Sequence, residues 1–356
     1  MEVARHRVSL KKTVTAVFFV CSVSPKRVAI IQVCYNKIKG EWNSMLNEKL
    51  LDIRYVKLHF TVEFVEDTET PIYKASAIRG GMGEMLLRAN CIRDRDCGQC
   101  DFQNECIVRR IMYSKMEIQP TFMSSGDSVG YVIECEDYHE RFFAGEQLTF
   151  SIILFGKTIV YFSQILNALY ALGINGLGKE KSRFSIAEIS NTKRVPIMNG
   201  NDIDMSKFEI LRVRDYVDYR RGMLPKTKTK TIIKFQSPLT IKYRQSVVKE
   251  FIPEAVIESA CRRIYILDCF EGIESDLIKR AYIESLTIPD IVHEDHHSVH
   301  VKRYSNHKKS AMRLEGIEGE LHIGDISEEL LDILLAGELM HIGKNTSFGF
   351  GRYRLL

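Results

Sequence analysis

The clearest hydrophobic pattern is the alternation of residues 56–64. Apolar residues occupy every second position, and polar residues, among them Lys57 and His59, occupy the positions between. Because successive side chains of a strand point to opposite faces, this pattern predicts a strand with one buried and one polar face. Residues 75–90 follow with apolar residues at helical spacing, although this predicted helix contains several glycines. Each such glycine costs about 1 kcal/mol relative to alanine, so the helix backbone is expected to approach a neighbouring strand or a ligand closely.

The remaining segments follow the same order in both halves of the chain. In the first half we expect strands near 112–122, 128–135 and 147–155 and a helix at 157–172. In the second half we expect a strand at 231–243, a helical region at 247–286, strands near 311–323 and a helix at 327–338. Pro238 predicts an edge strand or a bulge, since proline lacks the backbone donor. The order strand, helix, strands, helix, strand in each half predicts an α+β protein with two tandem ferredoxin-like domains.

The sequence Gly-Lys-x-x-Ser occurs twice, at 178–182 and at 343–347, each time after a helical run and before a strand-like run. Glycine permits backbone conformations and close approaches that a side chain would block, and the adjacent Lys and Arg side chains would attract phosphates. A P-loop is not indicated, because its glycine loop lies between a strand and the following helix. The repeat suggests a duplicated domain, and a coincidental pair of basic turns is the alternative.

Composition and charge set the limits of these domains. The chain of 356 residues is 45% hydrophobic and 27% charged with a net charge of +4, which is typical of a globular protein. The basic stretch at 216–230 predicts a linker between domains at 45–215 and 231–356. Residues 1–44 are an uncertain extension, read either as a signal peptide without a clear cleavage site or as a start-site artefact before Met45. No apolar run reaches the roughly 18 residues of a membrane span, so we expect a cytoplasmic location without membrane contact.

Four cysteines at 91–106 have the spacing C-x5-C-x2-C-x5-C, formed by Cys91, Cys97, Cys100 and Cys106. Four thiolates close a tetrahedral zinc site, so we predict a small four-Cys metal loop inserted in the first domain. An iron–sulfur cluster is the less favoured alternative. Two disulfides would need an oxidising compartment. A closed four-thiolate site has no open position, so the metal is expected to be structural rather than catalytic.

Four segments, taken together, carry a resemblance to a known family. They are YKASAIRGGMGEMLLRANC, with Arg79, Gly80 and Gly83; GINGLGKEKSRF; KRYSNHKKSAMRLEGIEGEL; and HIGKNTSFGFGRYRL. Together they resemble the CRISPR-associated endoribonucleases of the RAMP superfamily, which process precursor CRISPR RNA, and most closely the branch with a cysteine-rich insertion. The resemblance covers residues from about 45 to 356.

The resemblance implies two ferredoxin-like (RRM-like) domains that grip a CRISPR repeat RNA, in a monomer or a homodimer, with other CRISPR effector subunits as further partners. It implies cleavage without a metal or other cofactor: the ribose 2′-OH attacks the adjacent phosphate and leaves a 5′-hydroxyl and a 2′,3′-cyclic end. The residues expected to contact RNA lie on the glycine loops and in the basic segment. They are Lys179, Lys181, Arg183, Arg303, Tyr304, Asn306, Lys309, Gly343, Lys344, Gly349, Gly351 and Arg352.

Histidine suits the proton transfer of such a reaction because its pKa lies near neutral pH. Many members of the family have a histidine on the first helix, and residues 73–90 of this chain contain none. The catalytic candidates are therefore His341, which precedes the terminal glycine loop, then His59 on the first strand and His307, which follows Asn306. The histidines at 293, 296, 297 and 300 are expected to lie in a solvated loop.

Three functions are consistent with these residues. The leading hypothesis is the endoribonuclease that processes precursor CRISPR RNA. The missing first-helix histidine favours the alternative, a non-catalytic RAMP scaffold subunit that binds guide RNA in an effector complex. A zinc-ribbon DNA-binding or structural protein is the third function, but it leaves the repeated glycine loop unexplained.

Overall fold

Two antiparallel sheets dominate the computed structural model of this chain. The structure describes residues 51–114, 116–123, 129–200, 202–225, 230–273, 275–305 and 310–356, with side chains left out at 303–305 and 310–311. The uncertain extension at 1–44 therefore lies outside the described residues. We call residues 51–212 the N-terminal lobe and residues 230–356 the C-terminal lobe.

The N-terminal lobe contains a sheet with two long helices on one face. Its strands are β1 Arg54–Phe64, β2 Thr68–Glu69, β3 Tyr131–Glu134, β4 Arg141–Phe142, β5 Gln147–Phe155, β6 Phe184–Ser190, β7 Met198–Asn199, β8 Asp202–Ile203 and β9 Leu211–Arg212. Its helices are α1 Lys74–Asn90, α2 Ile107–Met112 and α3 Phe162–Asn175. The main sheet has the order β3-β5-β1-β6, and β9 pairs with the start of β1. The strand predicted near 112–122 is wrong, since α2 includes residue 112 and residues 116–123 form no strand.

Strand β1 confirms the alternation seen in the sequence, but both of its faces are covered. Val56, Leu58 and Phe60 pack into the core under α1 and α3. On the other face Tyr55 and His59 are also buried. The alternation predicts a half-buried strand, whereas on this face Lys57 lines a cavity shared with the C-terminal lobe and His59 is bonded to Ser151 within its own lobe.

The glycines of α1 separate into two kinds. A Cβ on Gly81 would overlap the Leu172 side chain of α3, and one on Gly83 would overlap the side chain of Met112. Glycine leaves room for the ends of these two side chains where the helices pack closely. A Cβ on Gly80 would meet nothing within 4 Å. The sequence predicts that this helix approaches a strand or a ligand closely. At Gly81 and Gly83 it instead approaches side chains of neighbouring helices, and at Gly80 it approaches nothing within 4 Å.

The C-terminal lobe repeats the order of elements. Its strands are β10 Thr231–Leu239, β11 Lys242–Tyr243, β12 Ser246–Val247, β13 Ile291–Ser305, β14 Ser310–Ile323 and β15 Tyr353–Leu355. Helix α4 Val213–Met223 precedes them, and the helices of the lobe are α5 Pro253–Glu271, α6 Arg280–Ser285 and α7 Glu328–Met340. The sheet order is β13-β14-β10-β15, which matches the N-terminal order strand for strand. Pro238 lies at a register shift of β10 between Phe235 and Leu239, so the predicted bulge is confirmed.

The stretch predicted as a linker begins inside a packed helix. Arg220 of α4 is buried and its guanidinium contacts the Glu338 carboxylate of α7 at 2.8 and 3.1 Å. The Tyr216 hydroxyl donates to the same carboxylate at 2.9 Å. Burying a charge requires a partner, and this one comes from more than a hundred residues away. Helix α4 is therefore part of the C-terminal core, and residues 226–229 lie outside the described residues.

Arg263 of α5 joins the two lobes from within the protein. Its Nε donates to the Met340 carbonyl at 3.0 Å and its Nη2 donates to the Val129 carbonyl at 3.2 Å. Its guanidinium also lies over the Phe155 ring, 5.7 Å from the centroid. Burial lowers the pKa of Arg263 to about 9. The cation remains protonated at neutral pH and is satisfied by carbonyl dipoles of both lobes.

None of the described helices is long and apolar enough to cross a membrane.

Candidate nucleic-acid interface

The first glycine loop is a tight turn closed on itself. Helix α3 ends at Gly176, whose φ is 87°, and Leu177 and Ser182 exchange backbone hydrogen bonds of 2.8 and 3.0 Å. Gly178 has a φ of 73°. The turn projects the Lys179 side chain, which is 96% exposed. Its position is suitable for a phosphate contact, because only an exposed cation can release its counterions to RNA.

Lys181 and Arg183, the other predicted RNA contacts of the first loop, differ in how freely they could bind a phosphate. Lys181 is exposed and has a left-handed φ of 57°. Arg183 is held by Glu66 through two parallel contacts of 2.9 and 3.1 Å. This bidentate pair lies at the surface, where an ion pair contributes little and an RNA phosphate can compete for the guanidinium.

The terminal glycine loop lies between the two lobes. Gly343 brings the loop against the Thr240 carbonyl, where a Cβ would be 2.5 Å from the oxygen. Gly349 reaches the N-terminal lobe, where a Cβ would be 2.7 Å from the Ile133 carbonyl oxygen. A Cβ on Gly351 would overlap the Ile342 carbonyl oxygen. All three have positive φ, so these glycines permit close packing within the protein. Lys344, between them, is exposed.

His341 is fully buried at the end of α7. Its Nδ1 contacts the Phe350 carbonyl at 3.1 Å and its Nε2 contacts Oε1 of Glu134 at 3.2 Å. Burial lowers the pKa of His341, against the opposing effect of Glu134. Burial alone would raise the pKa of Glu134, but Lys57, His341 and Arg352 bring it well below its usual value. Both ring nitrogens of His341 thus face acceptors, and the Glu134 carboxylate also pairs with Lys57 Nζ at 2.6 Å.

His59 lies in the same row of the N-terminal sheet. His59 of β1 and Glu134 of β3 are both register partners of Ser151 on β5, and His59 Nδ1 is 2.8 Å from the Ser151 hydroxyl. Burial lowers the pKa of His59 to about 4, with further lowering by Arg194 and Lys57. This ring is therefore neutral at pH 7. The structure brings His59 and His341 to one carboxylate, whereas His307 lies outside the described residues.

A polar cleft separates the outer faces of the two sheets. We define it by Lys57 and Glu134 on the N-terminal side and by Gln236 and Arg352 on the C-terminal side, which line a cavity of about 200 Å³. The Arg352 guanidinium donates to the Gln236 side chain at 3.0 and 3.1 Å and pairs with Glu136 at 2.6 Å. The sequence pattern pointed to Arg352 as an RNA contact and to His59, on the polar face of β1, as a catalytic candidate. It gave no sign of Glu134 beyond a lone acid in an apolar segment.

The described part of the basic segment lies on the paired strands β13, of 15 residues, and β14, of 14 residues. Arg303 and Tyr304 lie on β13, and their side chains are outside the description, as are residues Asn306 and Lys309. The prediction of a solvated loop at 293–300 is wrong, since these residues pair with β14 throughout. The hairpin is held together by cross-strand pairing that the local sequence does not reveal.

The four predicted zinc ligands are dispersed over the insertion between α1 and α2. Cys91 follows α1, Cys97 begins a 3-10 turn, and Cys106 precedes α2. Burial raises the pKa of the Cys97 thiol, Arg109 opposes this, and Cys106, Cys91 and Cys100 raise it further, so the four thiols lie within electrostatic reach. Within the described ranges, no group of three or more His, Cys, Asp or Glu side chains is arranged to hold a metal.

Comparison with known proteins gives a different family for each part of the chain. Residues 233–353 match the family of the CRISPR-associated endoribonuclease Cas6. This segment is therefore similar to Cas6 proteins. Residues 51–209 match a separate family described as an N-terminal domain. An uncharacterized protein of Archaeoglobus fulgidus is 24% identical over 302 residues, which cover 80% of this chain and 92% of the relative.

Solved structures support the Cas6-like fold. A partial Cas6-RT-Cas1–Cas2 complex has a TM-score of 0.52 with 12% identity over 85% of this chain. The Cas6-RT-Cas1–Cas2 complex gives the same values. This chain spans only 46% of the first of these chains and 29% of the second. At this identity the likeness concerns the fold.

Proposed function

We propose that this chain is an RNA-binding endoribonuclease that cuts precursor CRISPR RNA within the repeat. The match of residues 233–353 to the Cas6 family is the observation that carries this proposal. The exposed Lys179 and Lys344 on the two glycine loops support it, because exposed cations supply most of the affinity for an RNA backbone. The other predicted RNA contacts, in the basic segment and at Arg352, extend this surface in the proposal.

Each lobe is, in this proposal, a ferredoxin-like domain. The support is the repeated order of strands and helices and the identical strand order of the two main sheets. Two such sheets with facing polar surfaces create the cleft bounded by Lys57, Glu134, Gln236 and Arg352.

The proposed reaction is an attack of the ribose 2′-OH on the adjacent phosphate without a metal ion. It needs a group that accepts the 2′-OH proton and a cation near the phosphate where negative charge develops. The predicted catalytic histidines, His341 and His59, are buried. They would therefore influence RNA through the Glu134 carboxylate and Lys57 rather than by direct contact.

The test is cleavage of a labelled repeat RNA by the full chain in the presence of EDTA. We expect a product with a 2′,3′-cyclic phosphate and a partner with a 5′-hydroxyl. Once the cut is mapped, an RNA with a single 2′-deoxy nucleotide on its 5′ side should bind equally well and remain uncut. Cleavage of the deoxy RNA, or a strict requirement for Mg²⁺, would refute the mechanism.

A non-catalytic scaffold subunit is the second candidate function. The observations that favour it are the absence of histidine from α1 and the burial of His59 and His341. The same experiment separates the two functions, because a scaffold would bind the repeat RNA and leave it intact. Proteins of the kind named in the similar structures, Cas1 and Cas2 among them, are proposed as partners in either case.

The four cysteines are proposed to hold one structural zinc ion. Four thiols within electrostatic reach are a donor set that zinc favours. Metal analysis of the reduced protein should give about one zinc per chain, and Cys97→Ser with Cys100→Ser should abolish it and lower the stability of the fold. Cys135→Ser is the matched control and should retain the metal. A wild-type protein without bound metal would contradict this proposal.

A further inference from the structure

One histidine of the long hairpin has an exposed ring beside a carboxylate. His297 of β13 is the direct cross-strand partner of Glu318 on β14, and its Nε2 lies 3.9 Å from Glu318 Oε2. Paired residues of an antiparallel ladder project from the same face of the sheet. The His297 side chain is 69% exposed, whereas the Glu318 side chain is only 22% exposed. The imidazole is thus open to a ligand and backed by a carboxylate.

Glu318 has an unusual environment for a carboxylate. Its Oε1 is buried and has no hydrogen-bond partner among the described residues. Burial raises the pKa of Glu318, and His297 opposes that effect. The nearby His297 is therefore the group that stabilises the ionised carboxylate, and a cationic imidazole would do so most strongly.

The first helix closes this site from the other lobe. Tyr73, at the start of α1, and Tyr138 pack edge to face with their ring centroids 6.0 Å apart. Both phenols interact electrostatically with Glu318. The Tyr138 hydroxyl donates to the Gln236 carbonyl at 3.1 Å. Glu318 lies on β14 opposite the bulge of β10, between the partners of Phe235 and Leu239. Gln236 of that bulge lines one small cavity with Tyr73, Tyr138 and Arg352.

The other described histidines of β13 have different surroundings. His300 lies on the opposite face of the strand and pairs with Glu315 at 3.6 Å. His296 packs against the Phe251 ring at 5.9 Å. His293 packs against His322 at 5.1 Å, farther along the strand. Among these four histidines, His297 is the one paired with Glu318, the carboxylate that interacts with Tyr73 and Tyr138.

We infer that His297 is the catalytic base for RNA cleavage and that Glu318 positions it; this inference rests on the proposed function. The His297 imidazole removes the 2′-OH proton, and the 2′-oxygen then forms a bond to phosphorus. The bond from phosphorus to the 5′-oxygen breaks, and that oxygen takes a proton from a water molecule. The imidazolium returns its proton to the hydroxide so formed, which restores the enzyme. Arg352, which lines the small cavity with Tyr73 and Tyr138, is the cation assigned to the developing charge.

The first test is single-turnover cleavage with saturating RNA. His297→Ala should lower the rate by about 10²–10⁴-fold while RNA affinity stays close to that of the wild type. Added imidazole should restore part of the rate, because it can enter the space left by the ring. His300→Ala removes a similarly exposed histidine from the other face and should cut at the wild-type rate.

A near wild-type rate for folded His297→Ala would overturn the inference and leave the proposed function intact. A wild-type protein that cuts no repeat RNA would overturn both. Because His297 is exposed, its loss is not expected to affect folding, and His297→Gln provides a second variant that keeps a polar side chain. Cleavage lost in His297→Ala without imidazole rescue, together with weaker RNA binding, would also count against a base.

Glu318→Gln tests the positioning role through the pH profile. Glu318 faces His297 from β14, Tyr73 and Tyr138 face Glu318 from the N-terminal lobe, and Asp295 and Glu320 form the next pair along the same face. Glu318→Gln takes away the negative charge beside the ring, so the acid limb of the cleavage profile should move to lower pH. A profile that falls in rate without moving along the pH axis would refute the role assigned to Glu318.

Discussion

The two Gly-Lys-x-x-Ser loops differ at the residue that ends the preceding helix. This residue is Gly176 in the first loop and His341 in the terminal loop, and the backbones are similar, with φ 87° and ψ 145° against φ 57° and ψ 157°. A positive φ is costly for a residue with a Cβ. At His341 the cost is offset by hydrogen bonds from the ring to Phe350 and Glu134. The comparison shows that the same turn can be stabilised by glycine or by a side chain anchored in the other lobe.

The largest expected effect concerns crowding in the terminal loop. Gly351→Ala should lower the free energy of unfolding by about 4 kcal/mol or more, because positive φ is combined with overlap on the Ile342 carbonyl. Gly178→Ala in the first loop is the matched variant. Its φ is also positive, but the nearest atom is Pro71 Cδ at 3.7 Å, so about 1–2 kcal/mol is expected. Urea unfolding of both variants measures the difference, and equal losses would contradict the assigned crowding.

The next effect tests the anchor itself. His341→Ala should lower the free energy of unfolding by about 3 kcal/mol, since it leaves a cavity and removes a partner of buried Glu134. His341→Gly should cost about 1 kcal/mol less than His341→Ala, because glycine relieves the positive φ.

Thermal or urea unfolding measures the expected order of stability, in which the wild type is most stable, followed by His341→Gly and then His341→Ala. Cleavage assays on the same variants complete the test. A stable His341→Ala protein that binds RNA but cuts it slowly would support direct catalysis by His341. Loss of stability, binding and rate together would support the anchoring role.

The third effect contrasts the buried histidines with exposed ones. The folded-state pKa of His59 is about 4, below the ordinary value of 6.5, so the unfolded chain binds the proton more readily. The stabilisation that the fold gains from a neutral His59 ring is therefore fully present above pH 6.5 and is lost as the pH falls towards 4. This loss is on the order of 2–3 kcal/mol in the free energy of unfolding. His59→Gln should flatten the loss of stability measured between pH 7 and pH 4.5. His300→Gln is the exposed control, and an identical pH dependence in wild type and His59→Gln would contradict the prediction.

The smallest effect concerns RNA affinity. Lys179→Ala and Lys344→Ala should each weaken repeat-RNA binding and lower the slope of log K against log salt by roughly one unit. Lys207→Ala, on a turn of the N-terminal lobe away from both loops, should leave the slope unchanged. Fluorescence anisotropy over a salt series provides the measurement. An unaltered slope in the Lys179→Ala, Lys344→Ala double variant would remove the glycine loops from the RNA surface.

Local sequence patterns predicted the regular elements well. The alternation of β1, the helix at 74–90 and the bulge at Pro238 follow from period and backbone chemistry alone. The missed elements depend on distant partners. Helix α4 looked like a solvated basic linker because the partner of Arg220 is Glu338. Strand β13 looked like a loop because its histidines are polar, and its cross-strand partners are not adjacent in the sequence.

The site was only partly predictable for the same reason. Arg352 and the polar face of β1 could be identified from their local sequence, but Glu134 and Glu318 become important only when the sheets face each other. The contact of His341 with Glu134 likewise depends on the packing of the two lobes. A single sequence indicates which side chains have suitable chemistry, and the fold decides which of them can reach a ligand.

The Arg263 contacts have a mechanical consequence. Opening the lobes like a hinge would pull the guanidinium from either Val129 or Met340 and leave a buried charge short of acceptors. Such a rupture is costly, so the Arg263 contacts resist separation of the two lobes and hold the width of the cleft between them.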